Sequence, residues 1–389
     1  MKKLLIIPLL FLLTGCWNYN ELNELAIITG VSVDIEDDKY TTTVLISNAK
    51  KGSSPENQAS PSTTAYEGSG KTIYESFEDA ASSISKKAYF GHMEVLILSE
   101  EILKEDLKNT LDFLFRYPQT RNEFYVVIAK NSKAGDVLKI TTPLESFPSQ
   151  NIAQNLEISN EQRGFVYTVT FNEFVSSLLE KGNNAILPGI EIVGDLKTGA
   201  SEDNLKETNP TAYLKLSTLG LFKDDKFITW SDKEESEGIN IINNKIEIAK
   251  LTSPCNDGYT VTELSELKTK INYKDNKFKI KIKATGNIQE VACNINLTKE
   301  EEIEKIKNKN IERIKELCDK AISLAKENKT DVFGFGNMIY KKNPKYFKEI
   351  ENIWDDELFL NIDVEYDIDL RLEAKGNINN YMEENNGNN

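Results

Sequence analysis

The chain has 389 residues, with 62 Asp and Glu against 47 Lys and Arg, 39% hydrophobic residues, four cysteines and one histidine. That length predicts two or three domains with ordinary packed cores, and the composition excludes a disordered chain. A formal net charge of −15 argues against unguided binding to nucleic acid or a bare acidic membrane, and a lone His92 with widely spaced cysteines offers no His-based or zinc-type cluster.

At the N-terminus, Lys2 and Lys3 precede an apolar run from Leu4 to Leu13 that is interrupted by Pro8. As a helix, that run reaches about 15 Å against a hydrocarbon core of about 30 Å, so it reads as a secretory signal and not a permanent span. Leu13-Thr14-Gly15-Cys16 fits a bacterial lipobox, which makes residues 1–15 a lipoprotein signal peptide and Cys16 the attachment site for a diacylglycerol. The competing reading is a secreted protein cleaved nearby, with Cys16 an incidental thiol. Two acyl chains give stable attachment where one is marginal, so lipid on Cys16 would hold even so acidic a chain at a membrane.

Residues 16–196 read as an N-terminal α+β domain. Leu25 to Val33 and Tyr40 to Ser47 are β-rich and flank the turn Glu36-Asp37-Asp38, a hairpin pattern. Lys50 to Gly70 reads as a long surface loop, Lys71 to Ala88 as a helix, Glu94 to Leu98 as a strand, Glu100 to Arg116 as a helix and Phe124 to Ala129 as a strand. Phe171 to Lys181 is a further helix, followed by a short strand at Ile186 to Ile190. The polar stretch Lys197 to Pro210 predicts a boundary, and residues 205–256 a small middle β-rich domain with a hairpin about Lys223 to Lys226. Residues 257–378 read as a C-terminal α+β domain. In it Tyr259 to Ile271 and Phe278 to Ile288 form an antiparallel pair, a long helix runs over 298–326, and Ile362 to Leu370 make a half-buried strand with an acidic outer face. Residues 379–389 are expected to be a flexible tail. The fold class is therefore α+β, three domains of mixed or antiparallel β-sheets flanked by α-helices.

Candidate sites are few. Ala65 to Thr72 ends like a P-loop in Gly68-Ser69-Gly70-Lys71-Thr72, but it lacks the first glycine and a leading strand, so Thr72 reads as a helix cap. Gly334-Phe335-Gly336 has no preceding strand-and-helix context and reads as close backbone packing around Phe333 and Phe335. His92 is a structural or surface imidazole, and Trp354-Asp355-Asp356-Glu357 a solvated acidic helix end. Strands folding about Asp275 pair positions whose numbers sum to about 550, which sets Cys255 near Cys293 and predicts a disulfide, with Cys318 a buried free thiol; three reduced thiols are the alternative. No metal site, no catalytic constellation and no cofactor beyond the lipid on Cys16 are predicted, so the chain reads as no enzyme.

Taken in order, these residues resemble the Ger(x)C lipoproteins, the C subunits of bacterial spore-germination nutrient receptors. The likeness is carried by Gly15-Cys16-Trp17, Leu25 to Gly30, Gly68 to Thr72, Gly91-His92-Met93-Glu94-Val95-Leu96, Leu111 to Arg116 with Arg121, and Leu187-Pro188-Gly189-Ile190. It continues through Leu219 to Phe222 with Trp230, and Asp331 to Gly336 with Pro344 and Trp354. The stretch Ile239 to Asn244 departs in being richer in Asn, and the Lys50 to Gly70 loop looks variable. The resemblance implies a lipid-anchored, non-enzymatic protein on the outer face of the spore inner membrane. It also implies assembly with two membrane-embedded partners, a permease-like B-type and an A-type subunit, to trigger germination. A lipid-anchored solute-binding protein that captures a nutrient directly is the alternative, and the antiparallel look of the last third counts against it.

Overall fold

Asp37 and Asp38 both take positive φ, 51° and 58°, the two-residue turn whose twist matches antiparallel strands. They join β1 (Leu25–Glu36) to β2 (Lys39–Ser47), with Glu36 opposite Lys39. The computed structural model describes residues 21–48, 62–116, 123–206, 208–255, 257–275 and 277–373. In it this hairpin belongs to a nine-stranded sheet with β3 (Thr63–Gly70), β4 (Lys87–Tyr89), β5 (Val95–Ser99), β6 (Tyr125–Ala129), β7 (Ile186–Gly194), β8 (Ala212–Lys223) and β9 (Lys226–Trp230). The spatial order is β3-β2-β1-β5-β6-β7-β8-β9, with β4 beside β1. β1, β5, β6 and β7 run parallel, and the outer pairs are antiparallel. All five residues of β5 are buried, as a strand covered on both faces requires.

Odd and even positions of β1 show what covers each face. Val31 and Val33 meet Phe77, Phe90 and Leu114, which come from α1 (Ile73–Ser82), the loop before β5 and α3 (Leu107–Arg116). Gly30 instead lies against Leu138 and against Ser149 of α4 (Pro148–Ile158), where an added Cβ would come within 2.9 Å of Leu138. Three expectations need correction here. The end of the expected Lys50–Gly70 loop is strand β3, because Gly68 and Gly70 let α1 approach it: a Cβ on Gly68 would sit 2.1 Å from the Ala80 nitrogen. The expected helix over 71–88 ends at Ser82, after which the chain extends into β4. The expected helix over 100–116 breaks at Asp106, between α2 (Glu100–Glu105) and α3.

The strands expected to form a middle unit over 205–256 make no sheet of their own. β8 pairs with β7 from Gly194↔Ala212 to Ile186↔Leu221, so β8 and β9 complete the first sheet. The polar segment before them is pinned, since Asn204, fully buried, accepts from the Ala212 nitrogen at 3.0 Å and donates to the Ala212 carbonyl at 2.9 Å. α5 (Phe171–Leu179) precedes β7 on the same domain.

The second sheet has the order β10 (Ala249–Cys255), β11 (Gly258–Lys274), β12 (Lys277–Val291), β13 (Asp363–Glu373). β11 and β12 form the expected antiparallel pair about Asp275, whose φ is 51°. β13, however, lies parallel to β12, from Lys277↔Asp363 to Asn287↔Glu373. A parallel return needs a long crossover, and here it carries α7 (Glu300–Glu327), α8 (Phe335–Lys342) and α9 (Pro344–Ile350). α7 buries Ile314, Leu317, Cys318 and Ala321 in one apolar core with Phe278, Ile280 and Ile282 of β12. A buried amide fixes the register, for Asn310 donates to Thr262 Oγ1 and accepts from Ser253 Oγ, both at 2.8 Å. α6 (Lys233–Ile242) links the two sheets by crossing α7, where a Cβ on Gly238 would fall 2.0 Å from the Leu317 carbonyl oxygen. The α+β class, with several sheets and flanking helices, is the architecture observed.

Candidate functional site

Where the sheets adjoin, the turn after α5 meets the segment that follows α7. The Asn184 nitrogen donates to the Asp331 carbonyl at 2.8 Å, and the Asn337 nitrogen to the Gly182 carbonyl at 2.7 Å. The Asn184 side chain accepts from the Asp224 nitrogen at 2.9 Å and donates to Asp355 at 3.3 Å. At the centre, the buried Asp331 carboxyl group accepts from the nitrogens of Phe333, Phe335 and Gly336 and from Trp354 Nε1, at 2.7–3.2 Å. Burial pushes Asp331 up to about 7, and these donors oppose the rise. Gly334-Phe335-Gly336 is thus the backbone cradle of that carboxyl group. Gly334 takes φ 68°, and a Cβ on Gly336 would lie 2.6 Å from Trp354 Nε1. Phe335 stacks on Phe278, Phe333 and Phe359, the close packing expected of the motif.

A cleft of about 480 Å³ opens beside this junction, between α5 and the edge of β11. Its charges are already matched, Lys245 to Glu173 at 3.5 Å and Lys341 to Glu180 at 2.9 Å. A second cleft, of about 740 Å³, lies at the carboxyl ends of β1, β5 and β6. In open sheets of this kind ligands bind at strand carboxyl ends. Its lining combines Asp34, Glu67, Glu100 and Asp136 with Lys133 and Lys139. Asp34 accepts from the nitrogens of Ala134 and Gly135 at 2.7 and 2.9 Å, while burial raises its pKa. Lys139 bridges Glu67 and Asp136 at 2.9 and 3.1 Å.

Cys16 lies outside the described residues, as does the expected tail over 379–389. Cys255 and Cys293 are joined as a disulfide with Cα atoms 6.4 Å apart, and Cys318 is a buried free thiol. The sum rule holds along β11 and β12, as Thr262↔Ile288 and Ser265↔Thr285 show, but Cys255 does not sit on β11. It ends β10, and Cys293 follows β12, so the bond ties two strands on either side of β11. Thr72 caps α1, its Oγ1 accepting from the Glu75 nitrogen at 3.1 Å. A strand does lead into that P-loop-like run, contrary to expectation, but its glycines are filled by α1. His92 is exposed, edge-on to Tyr89. Trp354 is buried, whereas Asp356 and Glu357 are exposed, as the expected solvated helix end requires; Asp356 also pairs with Lys223 and Lys329 at 3.0 and 3.3 Å, which ties that end to the junction.

The partners of Asp331 beyond its own loop escaped the sequence reading, because Asn184 and Trp354 are far away in sequence. Helix α6 was also missed, although Asp232 and Glu235 spell its capping box. Among the described residues no group of His, Cys, Asp or Glu could hold a metal ion, and no helix is long and apolar enough to cross a membrane.

Comparison with known proteins assigns the chain. Residues 18–192 match the spore germination protein N-terminal domain, and residues 217–376 the spore germination B3/GerAC-like C-terminal domain. Spore germination protein KC of Bacillus subtilis (strain 168) is 27% identical over 98% of this chain and 98% of its own length. Spore germination protein A3 of the same organism is 25% identical over 92% and 93%. The crystal structure of the GerBC protein shares the fold, with a TM-score of 0.54 and 18% identity over 88% of this chain and 96% of that one. The chain belongs to the Ger(x)C family of spore germination proteins.

Proposed function

We propose that the chain is a lipid-anchored, non-enzymatic subunit of a spore nutrient germinant receptor. It acts by assembling with membrane-embedded A-type and B-type subunits on the outer face of the spore inner membrane. The observation that carries this reading is the match to spore germination protein KC across 98% of both lengths. The lipobox ending in Cys16 supports the anchor, since two acyl chains on that thiol hold a protein at a bilayer without a spanning helix. Cys16→Ala is expected to abolish lipid attachment and to lower receptor level or germination rate in spores. Normal germination at full receptor level in that strain would refute the anchoring.

A second reading, direct capture of a nutrient, is favoured by the cleft of about 740 Å³ at the strand ends, whose lining combines carboxylates with ammonium groups. Titration calorimetry of the protein with amino acids, sugars and nucleosides separates the two. Tight saturable binding by the chain alone supports capture, and its absence supports assembly.

A further inference from the structure

The face of the second sheet that α7 does not cover carries two adjacent rows of lysines in a chain of net charge −15. Lys268, Lys270 and Lys274 of β11 stand directly opposite Lys283, Lys281 and Lys277 of β12. All six are exposed, and Lys279 of β12 shares their face. Like charges directly opposite on neighbouring strands destabilise a sheet, so three such pairs in succession work against the fold that holds them. On the β12 side the cost is offset. β13 sets Asp363, Glu365, Asp367 and Asp369 opposite Lys277, Lys279, Lys281 and Lys283, with ion pairs at 3.1–3.8 Å.

The β11 row has no such neighbour. β10 stops pairing at Ala249↔Leu264, before the lysines begin. Among the described residues Lys268 and Lys270 have no ionic partner, and Lys274 reaches only the adjacent Asp275, at 3.9 Å.

We infer that the β11 lysine row is a docking surface for an acidic, extended segment of a partner protein, which supplies along β11 what β13 supplies along β12. The strand repeat asks for carboxylates at alternate residues, about 6.8 Å apart. A plane of anionic lipid fits less well. It would meet the β13 carboxylates one or two strands away, about 5–10 Å, and the acidic body of the chain behind them. The partner's being a protein rests on the assembly reading above.

The test uses the full-length chain with Cys16→Ala throughout, so that no acyl group contributes, with and without Lys268→Glu, Lys270→Glu and Lys274→Glu. The probes are a labelled twelve-residue peptide of alternating Glu and Thr, and vesicles of phosphatidylglycerol and phosphatidylcholine. Peptide binding is expected to weaken about tenfold or more in the reversed variant and between about 50 and 200 mM salt, with vesicle binding the same for both proteins. Equal peptide affinity for the two proteins overturns the proposal. So does vesicle binding that only the unreversed protein shows, because the face would then be a lipid surface. Replacing Lys268 and Lys270 by Thr is expected to raise Tm by about 2 °C, and a fall would mean that the lysines serve the fold. The peptide titration involves no receptor, so its failure leaves the assembly reading standing.

Discussion

Asp331 receives four N–H groups in a place water does not reach, and two opposing effects act on its proton. Desolvation favours the neutral acid and puts the folded pKa at about 7, above the model-peptide value of about 3.9. A raised folded pKa means that the folded state holds the proton more tightly than the unfolded chain. Stability from this group is then complete below about pH 4 and is lost as pH rises toward 7. Asp331→Asn removes the titration and turns an amide N–H toward backbone donors, so it destabilises at every pH, by about 2–4 kcal/mol at its worst. The stability gap between wild type and variant is expected to narrow from pH 4 to pH 7 in urea titrations at fixed ionic strength. A gap that widens over that range would show that the four donors, not burial, set the charge state.

At the scale of elements, the contact between α6 and α7 depends on a missing side chain. Gly238 brings the two backbones together, and Gly238→Ala would place a methyl carbon 2.0 Å from the Leu317 carbonyl oxygen. Both partners are buried helix, so the helices must separate, at a cost of about 1–3 kcal/mol in denaturant unfolding; an unchanged midpoint would mean that the crossing is loose. The disulfide works on a longer element. It closes a loop across β11, its cysteines 38 positions apart in sequence, and on the chain-entropy account Cys255→Ser should cost about 3–4 kcal/mol, read from unfolding midpoints with and without reductant. These elements also show what the sequence displays. Strict alternation in Phe278, Ile280 and Ile282 and the paired turn residues Asp37 and Asp38 are local, so β12 and the first hairpin could be read directly. β3 could not, because its Thr, Ser and Gly residues look like a loop until α1 packs on them. The parallel setting of β13 depends on a crossover that no local pattern announces, and the capping box of α6 was legible but lay within a segment read as β.

Across the whole molecule, one apolar cluster runs from Ala26 in β1 to Leu370 in β13, and the junction ties the two sheets within it. The disulfide could be named from the sequence. The junction around Asp331 could not, because Asn184 reaches it only after both sheets have formed. A shared core predicts that the two halves unfold together, and calorimetry of the wild type should give one transition with equal calorimetric and van't Hoff enthalpies. Asn184 is the place to break that coupling. Its side chain satisfies the Asp224 nitrogen and one oxygen of Asp355, whose other oxygen already lacks a partner. Asn184→Ala would leave both groups half-buried and unpaired, a loss of about 1–3 kcal/mol concentrated at the boundary between the sheets. The expected result is a lower Tm and a van't Hoff enthalpy that falls below the calorimetric one, as the C-terminal sheet begins to open separately. A variant that unfolds at lower temperature but still in one transition with equal enthalpies would locate the coupling in the apolar core rather than in the polar junction.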